Sequence, residues 1–413
     1  MRIYVISPVF PPEPVVSSIT SAQIARFLAA ADHAVTVVTG FPNRPQGKLY
    51  PGYKRRLFQY KSSPDGYRLV RCFGFFSSRS TLWSRFLENI SFGLTSGWFI
   101  LKSCRPDVIY ANTWTIFSAW ILAIVAKVRG LRMVLNIQDI YPESLIAQER
   151  ISPNGFIARW LLSIDRSIVK MSAAVIVPAP SFVDVYQNTR RLPSEKLHFV
   201  PNWYDTTRLL VDDVQAAEFR QKLRIPFNAT MIFYGGNVGA AAGVETVIES
   251  FRYLKDVKYL YLTIAGNGAN FDACKKLAAD IDHPRIRFYT PWPAEETSKA
   301  LAAADILILP TRGRQSLASI PSKLIAYMLA ARPVLSLALP ESDLAHIVRS
   351  SGCGWVIEPD RPAELADTLR KILSQSKDSL RSRGLSGREY TLSNFTGDVC
   401  LPKIASIISE AAA

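Results

Sequence analysis

The sequence predicts an α/β protein built from two doubly wound parallel sheets. Three observations carry that expectation. Short apolar, β-rich runs alternate with helix-like segments through both halves of the chain. The runs are continuously apolar rather than alternating, as strands buried on both faces are. The chain has 413 residues, and at roughly 100–200 residues per domain one sheet does not account for it.

In the first half the strand-like runs fall at 2–7, 34–39, 67–73, 107–111, 132–137 and 173–177, with a short one at 196–200. In the second half they fall at 230–234, 260–265, 285–289, 304–309, 333–337 and 354–357. Helical patterns lie between them, for example at 20–31 and 343–350. The boundary lies within 202–228, where PNWYDTTRLL leads to a polar helix and then Pro226. We therefore expect one domain over 1–201, a second over 202–390, and a terminal helix over 391–413. In that helix Leu401, Ile404, Ile407 and Ile408 have helical spacing.

Composition narrows the function classes. The formal net charge of +15 favours phosphate-bearing substrates, anionic lipid or nucleic acid. No zinc-finger spacing, aromatic RNA-binding signature or basic heptad helix is present, so no nucleic-acid partner is expected. Cys72, Cys104, Cys274, Cys353 and Cys400 are scattered and form no C-x-x-C pair. Neither a disulfide framework nor a metal site is expected, and a reducing, cytoplasmic setting fits. The opening MRIYVISPVF reads as a strand, without the features of a signal peptide. Two charge-free stretches, 89–101 and 114–126, are shorter than the roughly 18–20 residues a spanning helix needs. They read as buried or interfacial helices.

In open α/β sheets ligands bind beyond the carboxyl ends of the strands, and the loops there carry the unusual residues. FYGGNVGAAAGVETVIES ends a strand at Tyr234, places Gly235, Gly236, Asn237 and Gly239 in a loop, and begins a helix near Gly243. Small residues let the backbone approach an anion, and the amides of a helix start favour it, so a diphosphate is the expected guest; an ordinary glycine turn is the alternative. RGRQSLASIPSKLIAYMLAARPV carries Arg312, Arg314 and Ser316, then a helix start near Pro321. Lys323 lies in a first turn that prefers an acid, which makes sense if an anion sits over the same turn. Ser316, Ser319 and Ser322 add hydroxyl donors. Gly266 and Gly268, after another strand, read as a turn.

In the first half, the loop with Pro8, Pro11, Pro12 and Pro14 leads to Ser17, Ser18 and Thr20. These three either cap a helix or face an acceptor. NIQDIYPESL ends a strand with Asp139 and Glu143, two acids able to hold a hydroxyl or act as base, or to cap a helix or pair with an arginine. None of the four histidines sits in an evident catalytic loop, and there is no Walker motif, serine elbow or histidine-rich metal pattern.

The stretches FPPEP, QDIYPES, VPNWYD, GGNVGAAAGVETVIE and SIPSKLIAYMLAARPV together make the chain similar to the glycosyltransferase family 4 group of the GT-B fold, over nearly its whole length. It most resembles the exopolysaccharide and O-antigen branch that includes colanic acid and N-acetyl-L-fucosamine transferases. The resemblance implies two Rossmann-like domains facing a cleft, with a terminal helix returning to the first. It implies an acceptor in the N-terminal domain and a nucleotide-sugar, with UDP the expected nucleotide, in the C-terminal one. It further implies transfer with retention, no metal or other cofactor, and a lipid-linked saccharide acceptor. The catalytic candidates are then Asp139 and Glu143, with Lys323 and the 235–239 loop stabilising the leaving diphosphate.

Two departures stand out. Glutamates frequent in family 4 fall here at Ala318 and Ala326, and a frequent Arg/Lys phosphate pair falls at Asn237 and Ala242. The related branch often uses the P-S-K form instead, which this chain has. A partner subunit without turnover and a GT-B nucleotide-sugar epimerase are the alternatives. The segment 79–103 places Leu82, Trp83, Phe86, Leu87, Ile90, Leu94, Trp98 and Phe99 at helical spacing between basic residues, with Lys54, Arg55 and Arg56 a further basic cluster. That pattern suits an anionic membrane surface, so we expect peripheral association with the inner face of the plasma membrane; an ordinary packed helix is the alternative.

Overall fold

The computed structural model describes residues 1–413 apart from 79–80, 113–114, 148–149, 205–212 and 318–319. Ala318 and Ser319 therefore lie outside the described residues, as do Arg79 and Trp114. The chain divides into two compact units, Met1–Pro201 with Gly397–Ala413, and Asn202–Thr396.

The first unit holds an eight-stranded sheet. Its strands in chain order are β1 (Arg2–Ser7), β2 (Ala34–Gly40), β3 (Phe58–Ser62), β4 (Arg68–Cys72), β5 (Val108–Asn112), β6 (Arg132–Asn136), β7 (Ala174–Val177) and β8 (Leu197–Phe199). They lie in the order β3-β4-β2-β1-β5-β6-β7-β8. All neighbours are parallel except β3, which runs antiparallel to β4. Every residue of β5 and β7 is buried, because helices cover both faces of a parallel sheet. The edge strand β3, FQYKS, was not expected: its residues are exposed or half-buried, so no apolar run marks it. The chain steps outward from β1 through β2 and β4, then returns to β5 on the other side of β1. The switch point is therefore the gap between β1 and β5, where ligands bind in such sheets.

The second unit holds a six-stranded parallel sheet of β9 (Thr230–Gly235), β10 (Leu260–Ala265), β11 (Ile286–Tyr289), β12 (Ile306–Pro310), β13 (Val334–Leu337) and β14 (Gly354–Ile357). Its order is β11-β10-β9-β12-β13-β14. Here the switch point lies between β9 and β12. Two apolar clusters, one on each face, make the core.

The terminal helix starts at Gly397, and 391–396 belong to the second unit. It buries Cys400, Ile404, Ile407 and Ile408 and packs on β5, β6 and the helix Val16–Ala30. The apolar stretches singled out in the sequence form the helices Leu82–Lys102 and Ile116–Val128, which pack on each other through Gly93 and Gly97. Among the described residues no helix is long and apolar enough to cross a membrane.

Candidate functional site

In the second unit the loops after β9 and β12 leave the switch point together. After β9 the chain runs from Gly235 through Gly239 into a 3₁₀ turn, Ala240–Ala242, and the helix Val244–Ser250. The two loops touch: the Arg312 amide donates to the Ala241 carbonyl at 3.3 Å. Gly243, at φ 61°, lies against the Thr311 carbonyl, where a Cβ would approach to 2.8 Å. Behind them the turn with Gly266 and Gly268 props the first loop, as the Val238 amide donates to the Asn267 carbonyl at 2.9 Å.

Lys323 enters from the first turn of the helix Ser322–Leu329. Its ammonium donates to Tyr234 Oη at 2.7 Å and lies 4.3 Å from the centroid of that ring. Tyr234 Oη donates onward to the Asn237 carbonyl at 2.6 Å. One turn along the helix, Tyr327 Oη accepts from the Gly235 amide at 3.0 Å. Gly236 sits at φ 137°, and a Cβ there would fall on the Lys323 stem. Burial pushes Lys323 down to about 8; no carboxylate offsets it among the described residues. Among the described residues the amides of Gly236 and Val238 are taken by carbonyls, while those of Asn237, Gly239, Ala240 and Ala241 have no acceptor. A half-buried cation beside unpaired amides can hold an anion.

The other residues expected there are placed differently. Arg312, Arg314 and Ser322 are exposed. Ser316 is buried and its hydroxyl accepts from the Leu339 amide at 3.1 Å, which ties its loop to the one after β13. Ala326 is packed into the apolar core, and Ala242 closes the 3₁₀ turn.

In the first unit a buried polar ladder crosses the carboxyl ends of β1, β5 and β6. Ser21 Oγ donates to Ser7 Oγ at 2.9 Å, and Asn112 Nδ2 donates to Ser21 Oγ at 2.8 Å. Asn136 Nδ2 donates to Tyr110 Oη at 2.8 Å and to Asn112 Oδ1 at 3.3 Å. Sequence reasoning missed this ladder, whose one signal is an asparagine closing each of two consecutive apolar runs. It also missed Glu13. That buried carboxylate accepts from the amides of Phe10, Asn43 and Arg44 at 3.1, 2.9 and 2.9 Å and pins the proline-rich loop. Burial raises its pKa against those amides and Arg71.

Ser17, Ser18 and Thr20 lie inside the helix Val16–Ala30, whose N-cap is Val15 and carries no side-chain cap. The helix starts earlier than the sequence pattern indicated, so the three are not caps. Thr20 Oγ1 donates to the Ser17 carbonyl at 3.3 Å, and Ser18 Oγ is buried without a partner.

Asp139 and Glu143 part company. Glu143 accepts from both terminal nitrogens of Arg190 at 2.6 Å, and Arg190 Nε donates to Asp165 at 2.8 Å. The buried guanidinium thus clamps Glu143 to the helix Phe156–Met171. Among the described residues nothing donates to the Asp139 carboxylate, and burial raises its pKa. It lines a pocket of about 630 Å³ with Arg85, Tyr141, Arg150 and Trp160 among others.

Residues 18–203 match the family model of the glycosyl transferase 4-like domain, and 215–384 that of glycosyl transferases group 1. The chain is 25% identical over 390 residues to a protein of Escherichia coli (strain K12) named as colanic acid biosynthesis glycosyl transferase WcaI, covering 92% of this chain and 95% of that one. It is 25% identical over 346 residues to the probable glycosyltransferase WbjE of Pseudomonas aeruginosa, covering 82% and 83%. Anabaena Alr3699/HepE, solved in complex with UDP, superposes with a TM-score of 0.72 at 13% identity, over 99% of this chain and 100% of that one.

Proposed function

The chain belongs to the GT-B glycosyltransferases of the family 4 group, and on that footing we propose that it transfers a sugar from a nucleotide-sugar to a lipid-linked saccharide in surface polysaccharide synthesis. The colanic acid biosynthesis in the name of the Escherichia coli relative supports the pathway, and the UDP in the HepE structure supports UDP as the nucleotide. In this reading transfer proceeds with retention and without a metal ion. The protein works on the cytoplasmic side, held peripherally at the membrane.

One observation carries the proposal: among the described residues the half-buried Lys323 ammonium has no carboxylate partner and stands by a loop in which the amides of Asn237, Gly239, Ala240 and Ala241 have no acceptor. The leaving diphosphate gains negative charge as the glycosidic bond breaks, and fixed cationic and amide donors stabilise that charge more than the ground state. Arg312, Arg314 and Ser322 border the same loops and reach outward to the donor. In the first unit Asp139 takes the acceptor hydroxyl, its raised pKa suiting proton transfer. Ser17, Ser18 and Thr20 belong to the acceptor side, and Glu143, clamped by Arg190, positions the Asp139 loop.

The reading is tested with a panel of UDP-, GDP- and ADP-sugars, scoring binding, donor hydrolysis and transfer. Saturable binding of one nucleotide with turnover supports it. A second reading, a partner subunit without turnover, is favoured by apolar Ala326 where the family often has glutamate; binding without hydrolysis or transfer selects it.

A further inference from the structure

The pocket beside Asp139 is not a polar one. Four aromatic rings run through it in unbroken contact. Trp83 stacks on Phe86 at 5.4 Å between centroids, Phe86 meets Phe117 edge-on at 4.9 Å, and Phe117 meets Trp160 at 5.3 Å. Aliphatic side chains, Ile116, Leu145, Ile151 and Leu161 among them, complete the wall. At its rim Trp83 is 68% exposed and Ile157 51%. Monomeric proteins rarely leave so contiguous an apolar surface in water unless something covers it.

The polar groups of the pocket include four charged ones, Arg44, Arg85, Asp139 and Arg150, beside the neutral Asn89, Thr115, Tyr141 and Ser144. Tyr141 feels Asp139, Arg150 and Arg85 together, so these groups gather on one side. Arg44 and Arg85 share the carboxylate of Glu88 at 2.6 and 2.7 Å. Among the described residues that line the pocket the arginines are Arg44, Arg85 and Arg150 and the one acid is Asp139. The helices Leu82–Lys102, Ile116–Val128 and Phe156–Met171 each bring first-turn residues to the lining. Their amino-terminal ends add partial positive charge on the same side. A free saccharide would leave most of its hydroxyls against aliphatic carbon, at a cost for each unpaired group. An amphiphile with one long chain and an anionic head matches both halves of the pocket.

We propose that this pocket binds the lipid end of the acceptor, a single-chain polyisoprenyl phosphate or diphosphate, with its chain on the Trp83–Phe86–Phe117–Trp160 ladder and its phosphate toward Arg85 and Arg150. The proposal rests on the transferase reading and adds the place where the lipid is held. It puts the head group, and the sugar attached to it, next to Asp139.

Farnesyl diphosphate is the probe, followed by tryptophan fluorescence and calorimetry on the full chain, with UDP binding measured on the same samples. One saturable site is expected, with farnesol at least about tenfold weaker and inorganic diphosphate unable to compete. Trp83→Ala and Trp160→Ala, at exposed positions that leave the fold intact, each weaken binding about tenfold, or about 1.4 kcal/mol, and leave UDP affinity unchanged. Lys323→Ala leaves farnesyl diphosphate affinity unchanged and so excludes the donor site as its location. No saturable binding, or unchanged affinity in both tryptophan variants, overturns the proposal. So does binding confined to phosphatidylglycerol vesicles, which marks a surface patch. A dimer dissolved by the same two substitutions, with no uptake of farnesyl diphosphate, overturns it too and assigns the face to a second copy of the chain. Loss of UDP binding alone overturns the donor reading and leaves the pocket standing.

Discussion

Lys323 and Tyr234 form a cation pair with no carboxylate partner among the described residues: the ammonium donates to the phenol oxygen at 2.7 Å and lies 4.3 Å from the ring centroid. Tyr234 supplies an acceptor and a π face but no net negative charge. The charge on Lys323 therefore remains for a ligand. Lys323→Ala should weaken UDP binding about 10- to 100-fold, the range of a charge-assisted hydrogen bond at 1.5–3 kcal/mol. Uridine binding should be nearly unchanged, because the base and ribose do not need the ammonium. Calorimetry with both ligands checks this, and an equal loss for the two sinks the assignment.

The same lysine sets a pH dependence. Its pKa falls from 10.5 to about 8 on burial. Below pH 8 the folded protein holds a buried charge at full cost. Between 8 and 10.5 the unfolded chain keeps a proton that the folded one has lost, so this group's contribution to stability rises with pH. Lys323→Met should therefore raise the Tm of the ligand-free protein at pH 7, and the gain should shrink towards pH 10. A bound diphosphate restores the proton, so UDP affinity should fall as pH rises above about 8. Proton uptake on binding, read by calorimetry in two buffers at pH 9, checks the sign.

Gly236→Ala tests the loop rather than the charge. The backbone at φ 137° is open to glycine, and an added Cβ would fall on the Lys323 stem. Strain of about 1–3 kcal/mol is expected, relieved only by moving the lysine. UDP binding should drop with a small fall in Tm. Unchanged binding shows that Lys323 can move without consequence.

The strands were legible because burial on both faces leaves continuous apolar runs, as in VIYAN and ILILP. The edge strand Phe58–Ser62 was not, since only one neighbour and one half-covered face constrain it. The placement of the 235–239 loop after a strand and of Lys323 in a first helical turn was legible from spacing, since glycines follow an apolar run in one case and Pro321 opens a helix in the other. Tyr234, Tyr327 and the Ser7–Ser21–Asn112–Asn136 ladder were not. Their partners lie up to 92 residues away in sequence, and a tyrosine or asparagine within an apolar run gives no hint of which neighbour it meets. Glu143 shows the reverse. The sequence allowed both a base and an arginine pair, and only the fold brings Arg190 to it.

Asp139 and Glu143 should separate under mutation. Asp139→Asn keeps the shape and removes the proton acceptor, so transfer should fall by about 10²-fold or more with UDP affinity unchanged. Glu143→Gln breaks one side of a buried clamp on Arg190 and should mainly lower Tm. Thermal melts and steady-state transfer on the two variants distinguish the roles. Normal transfer by Asp139→Asn makes that residue structural.

The last prediction concerns the membrane. The helix Leu82–Lys102 buries Phe92, Ser96 and Ile100 and turns Leu94, Trp98 and Leu101 outward, at 58%, 53% and 41% exposure. Ile124 and Val128 of the next helix are exposed as well, Val128 at 74%. Lys102 lies over the Trp98 ring at 5.2 Å, and Lys127 is exposed on the neighbouring helix. An apolar stripe with basic residues at its end suits the headgroup boundary, where apolar burial and attraction to anionic lipid add. Each basic residue near such a surface contributes about 1 kcal/mol, and salt screens that part alone. The protein should therefore float with phosphatidylglycerol liposomes at low salt and float less at high salt. Phe86 lines the pocket rather than this stripe, so the informative variant is Leu94→Ser with Trp98→Ser and Val128→Ser. It should stay in solution while keeping its UDP affinity and its farnesyl diphosphate pocket. A wild-type protein that never floats removes the membrane from the mechanism and makes a soluble acceptor the better reading.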